Sequence, residues 1–201
     1  MVVILDYGVG NLASVRNMFK RVGVEAIISS DPQVVLSAEK IVLPGVGAFD
    51  YAMQKLNASG LRKALDSKVS DGVPLLGICL GMQLLCSGSE EGKLNGLGYI
   101  KAKARLFPPA SDIKVPHMGW NQVEKVRSSA LTDVLGDDAR FYFVHSYYVL
   151  ADDPEHSLLK ASHGTMFDAA ICDNNIFGVQ FHPEKSHRYG KALFTAFGEL
   201  S

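Results

Sequence analysis

No run of lysine or arginine occurs anywhere in the sequence, and its 20 basic residues are offset by 21 acidic ones to a formal charge of −1. That balance leaves no electrostatic footprint for nucleic acid or for an anionic membrane surface. Long apolar runs are missing as well. The opening M-V-V-I-L-D-Y-G carries no basic leader and only a short apolar run before Asp6. Neither a signal peptide nor a membrane span is expected, which makes the cytoplasm the expected compartment. Cysteine is scarce: Cys79, Cys86 and Cys172 are an odd number and form no C-x-x-C pair, against both a disulfide framework and a zinc site. His117, His145, His156, His163 and His187 show no metal-ligand spacing, and His156 and His163 read as surface or loop positions. Gly8 and Gly10 give G-x-G without the third glycine of a dinucleotide loop. Nothing implies a metal or a cofactor. Repeats, low-complexity tracts and long linkers are also missing, so one domain over residues 1–201 is expected, burying roughly 70% of its unfolded surface.

What is present alternates strand and helix. Val2 to Leu5 is a buried-strand run, followed by the turn Asp6 to Gly10 and by Asn11 as a helix N-cap. Leu12, Val15, Met18, Phe19 and Val22 then recur at helical spacing. Glu25 to Ile28 and Lys40 to Leu43 predict further strands, the latter running into Pro44-Gly45-Val46-Gly47. A helical region from about Asp50 to Ser70, broken near Asn57 to Gly60, leads to an apolar run ending at Cys79 and a helix ending near Gly88. From Ile100 onward short β-rich runs dominate until a last helix over about Tyr189 to Phe197. This predicts an α/β fold with an open, mixed, mostly parallel sheet flanked by helices and additional antiparallel strands in the second half. Parallel sheets bind ligands beyond the carboxyl ends of their strands, where the Gly45 to Gly47 and Cys79 to Gly81 corners both fall.

Cys79 sits where strand turns directly into helix, with Gly77 and Gly81 two places either side. This is the G-x-nucleophile-x-G geometry that exposes a serine in hydrolases, with sulfur in its place. The positive end of the following helix favours thiolate over thiol, and the Leu80 N–H can hold a developing oxyanion, a donor typically worth roughly 3–4 kcal/mol. The alternative on this stretch alone is a buried structural cysteine between a core strand and a helix. A thiolate attacking a carbonyl also needs a base and an orienter for that base. His182-Pro183-Glu184 follows an apolar run, and Pro183 biases His182 to extended geometry, in which His182 and Glu184 share one face. A second oxyanion donor is available near Val46 or Gly47.

Taken together, P-G-V-G-A-F at Pro44 to Phe49, G-I-C-L-G-M-Q at Gly77 to Gln83 and F-H-P-E-K-S at Phe181 to Ser186 resemble the class I glutamine amidotransferases. Along the whole chain, D-Y-G-V-G-N at Asp6, P-H-M-G-W-N at Pro116 and F-V-H-S-Y at Phe143 narrow the resemblance to the glutaminase subunits of imidazole glycerol phosphate synthase. The resemblance implies a triad of Cys79 as nucleophile, His182 as acid/base and Glu184 as orienter, hydrolysing L-glutamine through a glutamyl thioester. It implies that Gly47, Gln83, Glu91 and the Ser146-Tyr147 backbone hold the substrate, with Glu91 toward its ammonium group. Ammonia would pass to a separate (β/α)₈ cyclase subunit in a heterodimer. Asn11, the Pro116 to Asn121 loop with His117, Met118, Trp120 and Asn121, and Lys185 would face that partner. Three alternatives stay open: another amidotransferase of the class, which would lack P-H-M-G-W-N; a non-catalytic docking subunit; and a cysteine α/β hydrolase, whose acid precedes its histidine.

Overall fold

A computed structural model describes residues 1–108 and 113–200. Val2–Leu5 forms β1, and because successive side chains of a strand point to opposite faces, Val2 and Ile4 enter one core and Val3 and Leu5 another. In chain order there follow α1 (Leu12–Arg21), β2 (Ala26–Ser29), α2 (Pro32–Leu36), β3 (Lys40–Gly45), α3 (Phe49–Ala58), α4 (Leu61–Ser70), β4 (Leu75–Cys79) and α5 (Leu80–Leu85). The second half holds β5 (Gly88–Ser89), β6 (Ala102–Leu106), β7 (His117–Gln122), β8 (Glu124–Lys125), β9 (Arg140–His145), β10 (Tyr147–Ala151), β11 (Ser157–Ser162), β12 (Met166–Asp173), β13 (Ile176–Val179) and α6 (His187–Glu199).

The main sheet has the order β2-β1-β3-β4-β13-β12-β11-β8. Its first five strands are parallel and the rest antiparallel, giving the expected mixed sheet. On one face α1 and α6 close the core through Phe19, Phe194 and Phe197, with Phe19 and Phe194 edge to face at 4.4 Å. Fully burying one such ring contributes about 1.5–3 kcal/mol. On the other face Met53, Leu56, Leu61 and Leu65 bring in α3 and α4. Smaller sheets, β10-β6-β5 and β7-β9, complete the second half.

Three local expectations need correction. A helix, α2, lies between β2 and β3; its N-cap Asp31 accepts from Gln33 N at 2.8 Å and Pro32 opens its first turn. The helix after Cys79 stops at Leu85 rather than near Gly88. Residues 117–122 are a strand paired with β9, not a loop, despite the turn signals of Pro116 and Gly119. β13 lies parallel to β4, in keeping with the expected mixed sheet and with His182 at a parallel strand's end.

Candidate active site

Three neighbouring parallel strands, β3, β4 and β13, end at the same edge, and this places the chemistry. Gly45 pairs with Cys79, and Ile78 with Val179. The loop Val46-Gly47, the Cys79 corner and the His182 segment therefore emerge side by side. Cys79 has φ 56 and ψ −110, a backbone conformation that costs of order 1–3 kcal/mol for a non-glycine residue and persists only where packing enforces it. The enforcement comes from the flanking glycines. A Cβ on Gly77 would lie 2.7 Å from Gly81 O, and one on Gly81 only 1.9 Å from Leu43 O, so α5 rests directly on the backbone of the sheet. All six residues of α5 are buried, and for that reason it carries no amphipathic stripe.

His182 is extended at φ −101, ψ 93, as Pro183 requires. Pro183–Lys185 is a 3₁₀ turn rather than a continued extension, and it is this turn that brings Glu184 Oε1 to 2.8 Å from His182 Nδ1. Both side chains are almost wholly enclosed. Burial alone would lower the His182 pKa, but the adjacent Cys79 sulfur and the Glu184 carboxylate outweigh it and push it up to about 10. His182 Nε2 makes no hydrogen bond, which leaves it available to a reacting proton. Burial pushes the thiol of Cys86 upward and that of Cys172 up to about 11, which disfavours the thiolate at both.

A cavity of about 350 Å³ opens over Cys79, lined by Val46, Gly47, Leu80, Gln83, Glu91, Ser146, Tyr147 and His182. Gly47 has φ +92, and among the described residues neither the Val46 nor the Gly47 N–H has a backbone partner. Glu91 Oε2 accepts the Phe49 N–H at 3.0 Å, which ties the carboxylate to the first turn of α3. Asp50 holds the same turn by accepting from Lys93 N and Leu94 N. Gln83 Nε2 donates to Tyr147 O at 3.1 Å and also lies 3.1 Å from Gln180 Oε1.

The residues expected at a partner surface divide. Asn11 caps α1 by accepting from Ser14 N and is itself exposed, as are Met118 (63%), Trp120 (45%) and Lys185, whose ammonium lies over the Tyr142 ring. His117 is buried, and Asn121 Nδ2 donates inward to Ser162 O, so these two belong to the interior side of β7. His117 Nδ1 meets His145 Nε2 at 2.9 Å, and His145 Nδ1 meets Tyr147 O at 2.8 Å. His163, expected as a bland loop residue, stacks on His117 at 4.3 Å. Sequence reading also missed Tyr7, which donates to Pro44 O at 2.6 Å, and Gln180, which is fully buried beside Cys79. For Gln180 the signal was available: an amide inside the otherwise apolar run Ile176 to Phe181 is the informative anomaly.

Residues 3–198 match the model of the family described as "Glutamine amidotransferase class-I". The chain is 48% identical over 98% of its length to a protein of Methanococcus maripaludis named "Imidazole glycerol phosphate synthase subunit HisH 2", 98% of which is covered. It is 47% identical over its full length to a Bdellovibrio bacteriovorus protein named "Imidazole glycerol phosphate synthase subunit HisH", also fully covered. Among solved structures, that titled "Structure of PurLQS from Thermotoga maritima" superposes with a TM-score of 0.74 at 18% identity, over 98% of this chain and 96% of that one. At that identity the likeness is one of fold.

Proposed function

Because the chain belongs to the class I glutamine amidotransferase family, we propose that it is the glutaminase subunit of imidazole glycerol phosphate synthase and hydrolyses L-glutamine to L-glutamate and ammonia. The full-length relatives carrying that subunit's name favour this over another amidotransferase of the class. The observation that carries the chemistry is a thiol and a carboxylate-bound imidazole on adjacent strand ends in one cavity.

The steps follow from the geometry. His182 takes the proton of Cys79, and Glu184 on Nδ1 fixes the tautomer and stabilises the imidazolium. The sulfur attacks the side-chain amide carbon of glutamine, and the new oxyanion is held by the N–H of Leu80 and one from Val46 or Gly47. His182 then gives its proton to the leaving nitrogen, which departs as ammonia and leaves a glutamyl thioester. Water, deprotonated by His182, releases glutamate through a second oxyanion. Glu91 faces the substrate's α-ammonium, a charge-assisted contact. Gln83 and the Ser146-Tyr147 backbone hold the remaining polar groups.

The partner is a cyclase subunit, which we take to be the (β/α)₈ protein HisF, docked over the edge that carries Asn11, Met118, Trp120 and Lys185. Uncoupled hydrolysis would waste glutamine, so activity should be low alone and rise when the cyclase and its substrate are added. An ammonia assay with and without the cyclase, run on the wild type and on Cys79→Ala, tests the reading. Ammonia release that persists in C79A removes the nucleophile, and a rate indifferent to the cyclase removes the coupling.

A further inference from the structure

The geometry points to Gln180 as a functional part of this centre: its side-chain N–H donates to Cys79 Sγ and stabilises the thiolate. The inference rests on Cys79 being the nucleophile, as proposed above.

An amide taken out of water costs free energy unless its groups find partners, and Gln180 has no solvent exposure. Its backbone is fixed just past β13 by donation to Ala169 O at 2.9 Å. Which end of the amide faces the sulfur is decided two residues away. Tyr147 O can only accept, so the Gln83 atom 3.1 Å from it is nitrogen. The second proton of that nitrogen requires an acceptor, and the Gln180 oxygen stands 3.1 Å away. The remaining end of Gln180 is therefore Nε2, 3.9 Å from Cys79 Sγ, within reach for a sulfur acceptor. Reversing Gln180 would set nitrogen against nitrogen at Gln83 and aim a lone pair at the thiolate.

The neutral thiol has a different partner, Val144 O at 3.9 Å. The sulfur thus has an acceptor for its protonated form and a donor for its anionic form, so losing the proton to His182 exchanges one hydrogen bond for another. Gln83 also lines the substrate cavity. Three hydrogen bonds, through Gln83 and Gln180, then join the Tyr147 carbonyl, on the substrate side, to the nucleophile.

The test is the pH dependence of alkylation by iodoacetamide, followed at the Cys79 peptide by mass spectrometry in the full chain. Parallel glutaminase assays are run with the cyclase present. Gln180→Met, which fills the space without donating, should alkylate about tenfold more slowly than wild type near neutral pH, the equivalent of one pH unit. The gap should close in alkali, where both thiols are ionised. Hydrolysis should fall in kcat with KM little changed. Gln180→Glu keeps the shape and the acceptor for Gln83 but turns an oxygen toward the sulfur, and it should be slower still. It also serves if the Met variant does not fold. Alkylation curves that coincide with wild type in the folded variant overturn the role of Gln180. Alkylation of Cys79 that leaves glutaminase activity intact overturns instead the nucleophile assignment beneath it.

Discussion

Two histidines in the wall of one cavity differ in charge preference, one favouring the cation and the other the neutral ring. The Cys79 sulfur and the Glu184 carboxylate favour the imidazolium of His182, its pKa pushed up to about 10, whereas burial drives His145 down to about 3 and its neighbour His117 to about 4. All three are buried, so burial does not separate them. The partners do. His182 lies between a carboxylate and a sulfur that can become an anion, and both favour the cation. His145 lies between a carbonyl and another imidazole, an arrangement that satisfies one neutral tautomer of each ring and has no acceptor for an added proton. The first pair can move a proton during a reaction, while the second holds the Ser146-Tyr147 segment still.

Removing the sulfur should have the largest effect: Cys79→Ala should lower glutamine hydrolysis roughly 10⁴-fold or more while glutamine and cyclase binding persist, read by ammonia release and titration calorimetry. The same variant sharpens the contrast, because without the sulfur the burial of His182 is opposed by Glu184 alone and its NMR titration midpoint should fall. An unmoved midpoint would mean the carboxylate suffices. Next, His182→Asn should cost roughly 10²–10⁴-fold in kcat. Glu184→Gln should cost less, roughly 10²-fold, and steady-state kinetics should rank the two in that order.

His145→Ala should act on stability instead. It leaves the His117 Nδ1–H without its acceptor, at about 1–3 kcal/mol in denaturant titration. The pH midpoints of kcat should not move, since His145 does not ionise in the working range; a displaced profile would abolish the distinction between the two histidines. The smallest effect concerns pH. A folded pKa raised above the ordinary 6.5 contributes stability that is complete below about pH 6.5 and is lost as pH rises through about 10. The melting-temperature advantage of wild type over His182→Gln should shrink across that window.

Much of this could be read from residues alone. β1, α1, the break between α3 and α4, and the Cys79 corner all carry strong local signals: a four-residue apolar run, helical spacing behind an Asn cap, Gly60, and G-x-C-x-G. α2 was missed because five residues are too few to show a period, although Asp31-Pro32 is a legible start signal. That β13 lies beside β4, 101 residues apart at the paired Val179 and Ile78, follows from tertiary packing and has no local signature. The His117-His145-His163 cluster is hidden for the same reason: its members come from three separate segments, and only the antiparallel pairing of His117 with His145 brings two of them together.

The placement of β13 bears on how the protein is made. During synthesis β1 to β4 can assemble as soon as they leave the ribosome, with the thiol already on its corner, but the imidazole is encoded about a hundred residues later. Until β13 arrives, β4 would be an open sheet edge with unpaired backbone groups, inviting the wrong neighbour. The strand that closes this edge also leads into the proposed base, so the nascent chain would lose its most adhesive surface and complete the thiol–imidazole pair in a single docking event.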